Sequence, residues 1–375
     1  MPTPEEIERY YVFESYVRII IPVIFGLIVA LGLLGNLLVI VVIIINQQMR
    51  STTNLLILNL AIADLCFIVF CVPFTATGYA IPIWPFGVEW CKIVQYMTYV
   101  CAYASVYTLV TMSLDRYLAV VHPISSMSIR NQTNTVRILI VLWLIILGGN
   151  APLLHNHVVF AYDYYGELRS TCISQYSIDN DMKMQKIFYG SFFFFGYLLP
   201  LSLTCVLYGL MLKRLLYGVA PGGSRRAESA RSKKRVTKMV VIVVAIFAIC
   251  WLPIQVIFML QHFGSYPENF TNIAFQMVSN CLAYMNSCVN PILYAFLSDN
   301  FRKSFRKVLC CGDRSYAKFE YERTNTRADR ADKPINNAMS ERTFSNCTTS
   351  TVLLSHNNYN EVKNESVNHC TQTDV

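Results

Sequence analysis

Seven long apolar runs constrain what this chain can become. They cover residues 19–45, 55–79, 93–114, 138–154, 187–212, 239–260 and 273–297, with polar segments between them. A helix rises about 1.5 Å per residue, so about 20 residues cross the roughly 30 Å hydrocarbon core of a bilayer. That core holds no water to pair with open backbone, so each run has to close its own hydrogen bonds as a helix. Only 14% of the residues are charged, against about 25% in soluble domains, and 54% are hydrophobic. The fold class is therefore an all-α membrane protein, a seven-transmembrane helix bundle over residues 19–297. Residues 298–311 read as a short amphipathic helix on the membrane surface, because Phe301-Arg302-Lys303-Ser304-Phe305-Arg306-Lys307 alternates aromatics and cations at helical spacing. Residues 1–18 are expected as an extracellular N-terminus. Residues 312–375 are expected as a polar, disordered cytoplasmic tail.

Charge placement orients the bundle. All but six of the 31 Lys and Arg fall in residues 46–54, 115–137, 213–238 and 298–375. The positive-inside rule makes those segments cytoplasmic, and an odd number of spans then puts the N-terminus outside. The net charge of +8 is thus a consequence of topology and does not point to nucleic acid. Of thirteen cysteines, only Cys91 and Cys172 lie outside the spans on the outer side, so the oxidising side has one pair to make. Closing a loop of that size contributes at most ~4–5 kcal/mol.

The spans carry residues that hydrocarbon does not favour. Gly32 and Gly35 let a neighbouring helix come close, and Asn36 beside them needs a partner. Asp64 lies mid-span, where a carboxyl group must be protonated, nested in hydrogen bonds or paired with a cation. Pro73, Pro253 and Pro291 each remove a backbone donor and bend their helices. The third span ends in Asp115-Arg116-Tyr117.

Asn36, Asp64, Asp115-Arg116-Tyr117, Trp143, Pro200, Cys250-Trp251-Leu252-Pro253 and Asn290-Pro291-x-x-Tyr294 fall in order, one or more per span. Together they resemble the rhodopsin-type (class A) G-protein-coupled receptors over about residues 19–311. Ser113 to Pro123, Lys233 to Met239 and Asn286 to Pro291 resemble the galanin and allatostatin-A receptor group. The Val219-Ala220-Pro221-Gly222-Gly223 turn tilts that likeness toward the invertebrate allatostatin-A side. The resemblance implies a plasma-membrane receptor whose sixth helix swings out and frees Arg116 for a G protein, chiefly of the Gi/o class. Trp251 would sense the ligand, Pro200, Val106 and Phe247 would relay the motion, and Tyr208 and Tyr294 would steady the active form. Arrestin and receptor kinases would act on the tail. Lys233 stands where many relatives place an acid that restrains the arginine, so the resting state is left to Asp115 and packing.

By position in such a bundle, Gln95, Thr98, Tyr99, Gln255, Phe258, Gln276, Asn280 and Tyr284 would line the ligand pocket. The outer halves of the spans hold no Asp, Glu, Lys or Arg, which suits an uncharged, amidated neuropeptide end such as Phe-Gly-Leu-amide. Galanin-type receptors place histidines where this chain has Gln255 and Phe258; a galanin- or kisspeptin-like peptide, or a lipid, is the alternative. Asp64, Ser105, Asn286, Ser287 and Asn290 would converge on a nest holding either a sodium ion or a protonated Asp64. No other cofactor is implied. Retinal is disfavoured because residues 273–297 contain no lysine, and a biogenic amine because Thr98 replaces the carboxylate it would need. No loop holds a nucleophile, base or metal-ligand cluster, so an enzyme is not indicated.

Four peripheral features complete the expectations. Cys310 and Cys311 suit palmitoylation next to the surface helix. Asn269-Phe270-Thr271 is a glycosylation sequon on the outer side, whereas those at Asn131, Asn346 and Asn364 face the cytosol. The Ser/Thr cluster from Thr343 to Ser355 would take phosphate. The ending Thr373-Asp374-Val375 is what a PDZ groove reads, with Thr373 at its rim and Val375 in its pocket.

Overall fold

The computed structural model describes residues 4–164, 166–217, 224–267 and 269–309, with backbone alone at 4, 6, 7, 48, 215–217, 224–236 and 309. Cys310, Cys311, Thr373, Val375 and the rest of the tail lie outside the described residues, as does the side chain of Lys233. Among the described residues, six helical stretches are long and apolar enough to cross a membrane: 8–45, 52–80, 87–121, 132–154, 182–214 and 237–263. The seventh expected run forms the 28-residue helix Phe270–Leu297. Asn272, Gln276, Ser279, Asn280, Asn286, Ser287 and Asn290 make it the most polar of the set.

The first helix, α1, spans Pro4–Ile45 and so begins well before the apolar run at residue 19. Arg9 pairs with Glu5 at 2.7 Å and Arg18 with Glu14 at 3.0 Å, each four residues apart. Such pairs support a helix where apolar packing is thin. The second run is not one helix. Ser51 caps α2 (Thr52–Phe70) by accepting the Asn54 N–H, and α2 ends where Cys71 leaves helical geometry at φ −120°. The chain restarts as α3 (Val72–Ala80) with Pro73 in the first turn, where a missing donor costs nothing.

After Gly87, whose φ is 75°, α4 (Gly87–Val121) runs 35 residues. It packs against α2, α5 (Gln132–Asn150), α8 (Leu199–Tyr217) and α9 (Ser224–Phe263), and so stands at the centre of the bundle. Between α5 and the next helix the chain forms a hairpin that the sequence did not lead us to expect. Strands β1 (His157–Tyr164) and β2 (Glu167–Ser174) pair antiparallel around a turn at Gly166, φ 87°. A short α6 (Gln175–Ile178) leads to α7 (Met182–Phe193), capped by Asp181. A single π turn, Phe194–Leu198, joins α7 to α8. The last two helices are α10 (Phe270–Leu297) and α11 (Asp299–Leu309). In α11, Phe301 and Phe305 are buried while Arg302, Lys303, Arg306 and Lys307 are exposed, which is the expected amphipathic helix.

The hairpin is tied down at three places. The Cys91–Cys172 disulfide joins β2 to α4. Trp84 N–H donates to the Ser170 carbonyl at 3.1 Å and Ser170 N–H to that of Pro82 at 3.0 Å. Arg169, only 6% exposed, is bonded by both oxygens of Glu14 on α1 and by Glu167, with its guanidinium 4.2 Å from the Tyr164 ring centroid. Burial works against that charge, but the Glu14 and Glu167 carboxylates outweigh it and hold Arg169 above the usual arginine range. The N-terminal turns of α1 are thus part of the wall around the disulfide end of the bundle.

Glycines set how closely α1 approaches its neighbours. A Cβ on Gly32 would collide with Ile68 of α2, and one on Gly35 would lie 2.9 Å from Pro291 of α10. Asn36, next in line, donates to the Ser287 carbonyl at 2.9 Å and so closes the α1–α10 seam. We expect Gly35→Ala to cost about 1–3 kcal/mol through overpacking, read as a lower melting temperature of the purified protein. Gly26→Ala, which meets nothing within 4 Å in the middle of α1, should hold that temperature or raise it.

Candidate functional site

The polar residues of the spans gather into a connected column along α4. At its middle is Asp64 on α2, with no exposed surface. Ser105 of α4 donates to its Oδ1 at 3.1 Å and Asn290 of α10 to its Oδ2 at 2.8 Å. Ser287 faces the same carboxyl group. Asn286, one turn before Asn290, is also buried, but the bonds that fix Asp64 come from its neighbours. One turn below, Asn59 donates to Thr108 at 2.7 Å and accepts the Trp143 indole N–H at 2.8 Å, so α2, α4 and α5 share one polar contact. Oxygens and amides converge here with no cationic side chain bonded to the carboxyl group. That donor set fits a small hard cation, or else a proton on Asp64.

Toward the other end of α4, Asp115 is the hub. It takes both Nε and Nη2 of Arg116, Nε of Arg130 at 2.8 Å and the Thr53 hydroxyl at 3.1 Å. Arg116 is 8% exposed and turned onto its own neighbour. Among the described residues no side chain of α9 restrains it. Tyr117 turns away and sets its ring against His122. Tyr208 of α8 accepts from Ser113 at 3.4 Å. Tyr294, almost fully buried, stacks on Phe301 with centroids 5.5 Å apart, and its hydroxyl has no partner. Thr53 and Arg130 escaped the sequence reading, since both reach Asp115 only through tertiary packing.

Beside the Asp64 level lies an apolar relay. Val106, Tyr197 and Phe247 share one core, and Pro200 is buried beside them. The Phe247 ring lies 6.1 Å from Trp251, which lies 6.2 Å from Phe192. Pro253 sits inside α9 and Pro291 inside α10, so both helices lack one backbone bond near the polar column.

The eight expected pocket residues fall into three groups. Tyr99 meets the rings of Phe188 and Phe192, and Phe258 meets Tyr189, around Trp251 and Gln255. Trp251, Gln255 and Phe258 follow one face of α9 at spacings of four and three. Gln255 is 1% exposed, and among the described residues neither its Nε2 nor its Oε1 has a partner; the Trp251 indole N–H is likewise unpaired among them. On the opposite side Asn280 donates to the Tyr79 hydroxyl at 3.2 Å. Tyr284 bonds Thr75 at 3.2 Å between the rings of Phe25 and Phe67, so it is engaged with α1, α2 and α3. Gln276 accepts from Gln261 at 3.0 Å. Nearer the hairpin, Gln95 lies 3.9 Å from the Cys172 sulfur, and Thr98 donates back to Val94. Asn269 caps α10 by accepting the Asn272 N–H at 2.9 Å.

The pattern of the family described as "7 transmembrane receptor (rhodopsin family)" matches residues 35–294. An allatostatin-A receptor of Bombyx mori is 50% identical over 306 residues, covering 82% of this chain and 84% of the relative. A galanin-like G-protein coupled receptor of Caenorhabditis elegans is 40% identical over 336 residues, covering 81% and 77%. Galanin receptor type 1 of Homo sapiens is 40% identical over 300 residues, covering 80% and 83%. The seven helices, the disulfide and the polar column stand where this family match lies. The chain belongs to the rhodopsin family of seven-transmembrane receptors, in its allatostatin and galanin receptor group, and is a multi-pass plasma-membrane receptor, not an enzyme.

Proposed function

We propose that this receptor recognises an amidated neuropeptide of the allatostatin-A type through Gln255 and Trp251, and signals through Gi/o proteins at the Arg116 end. The observation that carries the ligand reading is the buried, unpaired Gln255 amide beside an unpaired indole N–H. A buried polar group without a partner costs about 1–3 kcal/mol, so the pair is poised for a ligand that brings both an acceptor and a donor. A primary carboxamide brings both. A carboxylate has no donor for the Gln255 oxygen and would lie without a counter-charge on a helix face flanked by the rings of Tyr99, Phe188, Phe192 and Phe258. The 50% identity to an allatostatin-A receptor supports Phe-Gly-Leu-amide as the ending.

Orientation and partners follow from charge. The distribution of Lys and Arg supports an extracellular N-terminus, with Arg116, the 231–238 segment and α11 on the cytoplasmic side. In this conformation Arg116 is held by Asp115, while the Tyr294 hydroxyl is unpaired and so available to an active arrangement with Tyr208. Phosphorylation by receptor kinases, arrestin capture, palmitoylation at Cys310 and Cys311, a glycan at Asn269 and a PDZ scaffold at Thr373 and Val375 belong to the same reading. All of these rest on the sequence alone.

Sodium is the second part of the reading. The oxygens around Asp64 suit it, and a cation there would tie α2, α4 and α10 in the resting packing.

Two measurements check these readings. A peptide ending in Phe-Gly-Leu-amide should exceed its free-acid counterpart at least tenfold in G-protein activation. Gln255→Leu should bring the amide down to the potency of the acid and leave the acid unchanged; equal potency of the two forms on the native receptor would contradict the pocket. Separately, sodium should lower agonist affinity about tenfold in the native receptor and have no effect in Asp64→Asn. A sodium effect of the same size in both would place the ion elsewhere.

A further inference from the structure

Proline in the fifth span has a consequence two helices away. Pro200 has no N–H, and the turn before it widens so that the Leu199 N–H reaches back five residues to the Phe194 carbonyl. In that register the next carbonyl, Phe195, would need the N–H of residue 200, which does not exist. Inside hydrocarbon no water takes its place. The hydroxyl of Tyr107 on α4 does so instead, donating to the Phe195 carbonyl at 3.0 Å. The widened turn also presents Tyr197, 5% exposed, toward α9, where its hydroxyl donates to the Ala248 carbonyl at 2.9 Å.

We propose that Tyr197 is a positioning residue for receptor activation: its hydrogen bond to the Ala248 backbone holds the Arg116-end half of α9 against the π turn in the resting packing. Three observations point the same way. Ala248 lies between Phe247 and Trp251 and on the Arg116 side of Pro253, so it belongs to the half of α9 that moves if the helix swings about its proline. The Tyr197 ring stacks near Phe247 at 6.3 Å and near Phe193 at 6.1 Å, so its hydroxyl is held in direction by packing. Five residues from Pro253, Ala248 is about 7.5 Å along the axis, and a swing of about 20° moves it roughly 2.5 Å, more than a hydrogen bond tolerates. The bond is therefore present in one packing and broken in the other, which is what makes a contact bias an equilibrium.

The two tyrosines differ in what their removal leaves behind. Among the described residues the Phe195 carbonyl takes its donor from Tyr107, so Tyr107→Phe strands that carbonyl in hydrocarbon. Ala248 lies in regular helix with a donor four residues on at Leu252, and Tyr197→Phe strands nothing. Tyr197→Phe thus removes the tie and little else.

The test is ligand-free, so it stands or fails separately from the amidated-peptide reading. Purified Tyr197→Phe receptor in lipid nanodiscs should drive nucleotide exchange on a Gi/o protein without agonist about fivefold faster, per receptor, than the native protein, the shift that one neutral hydrogen bond is worth. A fluorine probe on Lys238→Cys, at the exposed Arg116 end of α9, should report a larger displaced population in the Tyr197→Phe background whether or not the chosen G protein couples. Basal exchange and probe populations at or below native values would overturn the proposal. A rise in Tyr107→Phe that Tyr197→Phe does not share would overturn it equally, by tracing the effect to a disrupted π turn.

Discussion

A carboxyl group with no access to water has to be satisfied by its own protein, and Asp64 of α2 recruits two neighbouring helices to that end. In hydrocarbon the association of helices gains nothing from the hydrophobic effect, so packing and hydrogen bonds must set the arrangement. Ser105 fixes α4 against α2, Asn290 fixes α10, and Asn36 joins α1 to α10 one step away. Gly32 and Gly35 admit Ile68 and Pro291 at distances no larger residue allows. The same groups that define the bundle also make it responsive. A proton or a small cation on that carboxyl group would change the balance of its hydrogen bonds, and with it the packing of α2, α4 and α10.

The prolines distribute that responsiveness. A proline inside a helix leaves a carbonyl without its helical donor, and two of these prolines have a local accommodation. At Pro200 the answer is a π turn with a tyrosine cap from α4, and at Pro73 it is a break at Cys71. Around Pro253 an unpaired indole and an unpaired amide share one face of α9. Native structures leave few buried groups unpaired, and two on one helical face beside aromatic walls mark a place where something else completes the bonding. At the far end of the bundle Arg116 is folded onto Asp115, while the Gln255 amide and the Trp251 indole are left unpaired among the described residues.

Much of this was legible because hydrocarbon punishes ambiguity. Seven apolar runs, one eligible cysteine pair, a mid-span aspartate and glycines beside an asparagine each had few structural solutions, and the fold adopts them. What escaped was of two kinds. The helical start at Pro4 is carried by Glu5–Arg9 and Glu14–Arg18, a spacing that hydropathy ignores. The hairpin pairs residues on either side of Gly166, and hydropathy carries no signal for that pairing. Thr53, Arg130, Glu14 and Tyr197 could not be found along the chain, because each acts on a partner more than ten residues away. Tyr284 illustrates the limit within the candidate pocket. Its place in the span suggested a ligand contact, and its hydroxyl is instead engaged with Thr75.

The central claim is that ligand recognition at Gln255 and Trp251 is coupled to release of Arg116 from Asp115. An experimental structure of the receptor with an amidated peptide and its G protein bound would test both ends of that claim in one molecule. The terminal carboxamide should lie within hydrogen-bond distance of the Gln255 amide and the Trp251 indole, with Arg116 extended away from Asp115 into the G protein. A peptide end seated elsewhere while Gln255 remains unpaired, or Arg116 still bound to Asp115 in the active complex, would contradict it.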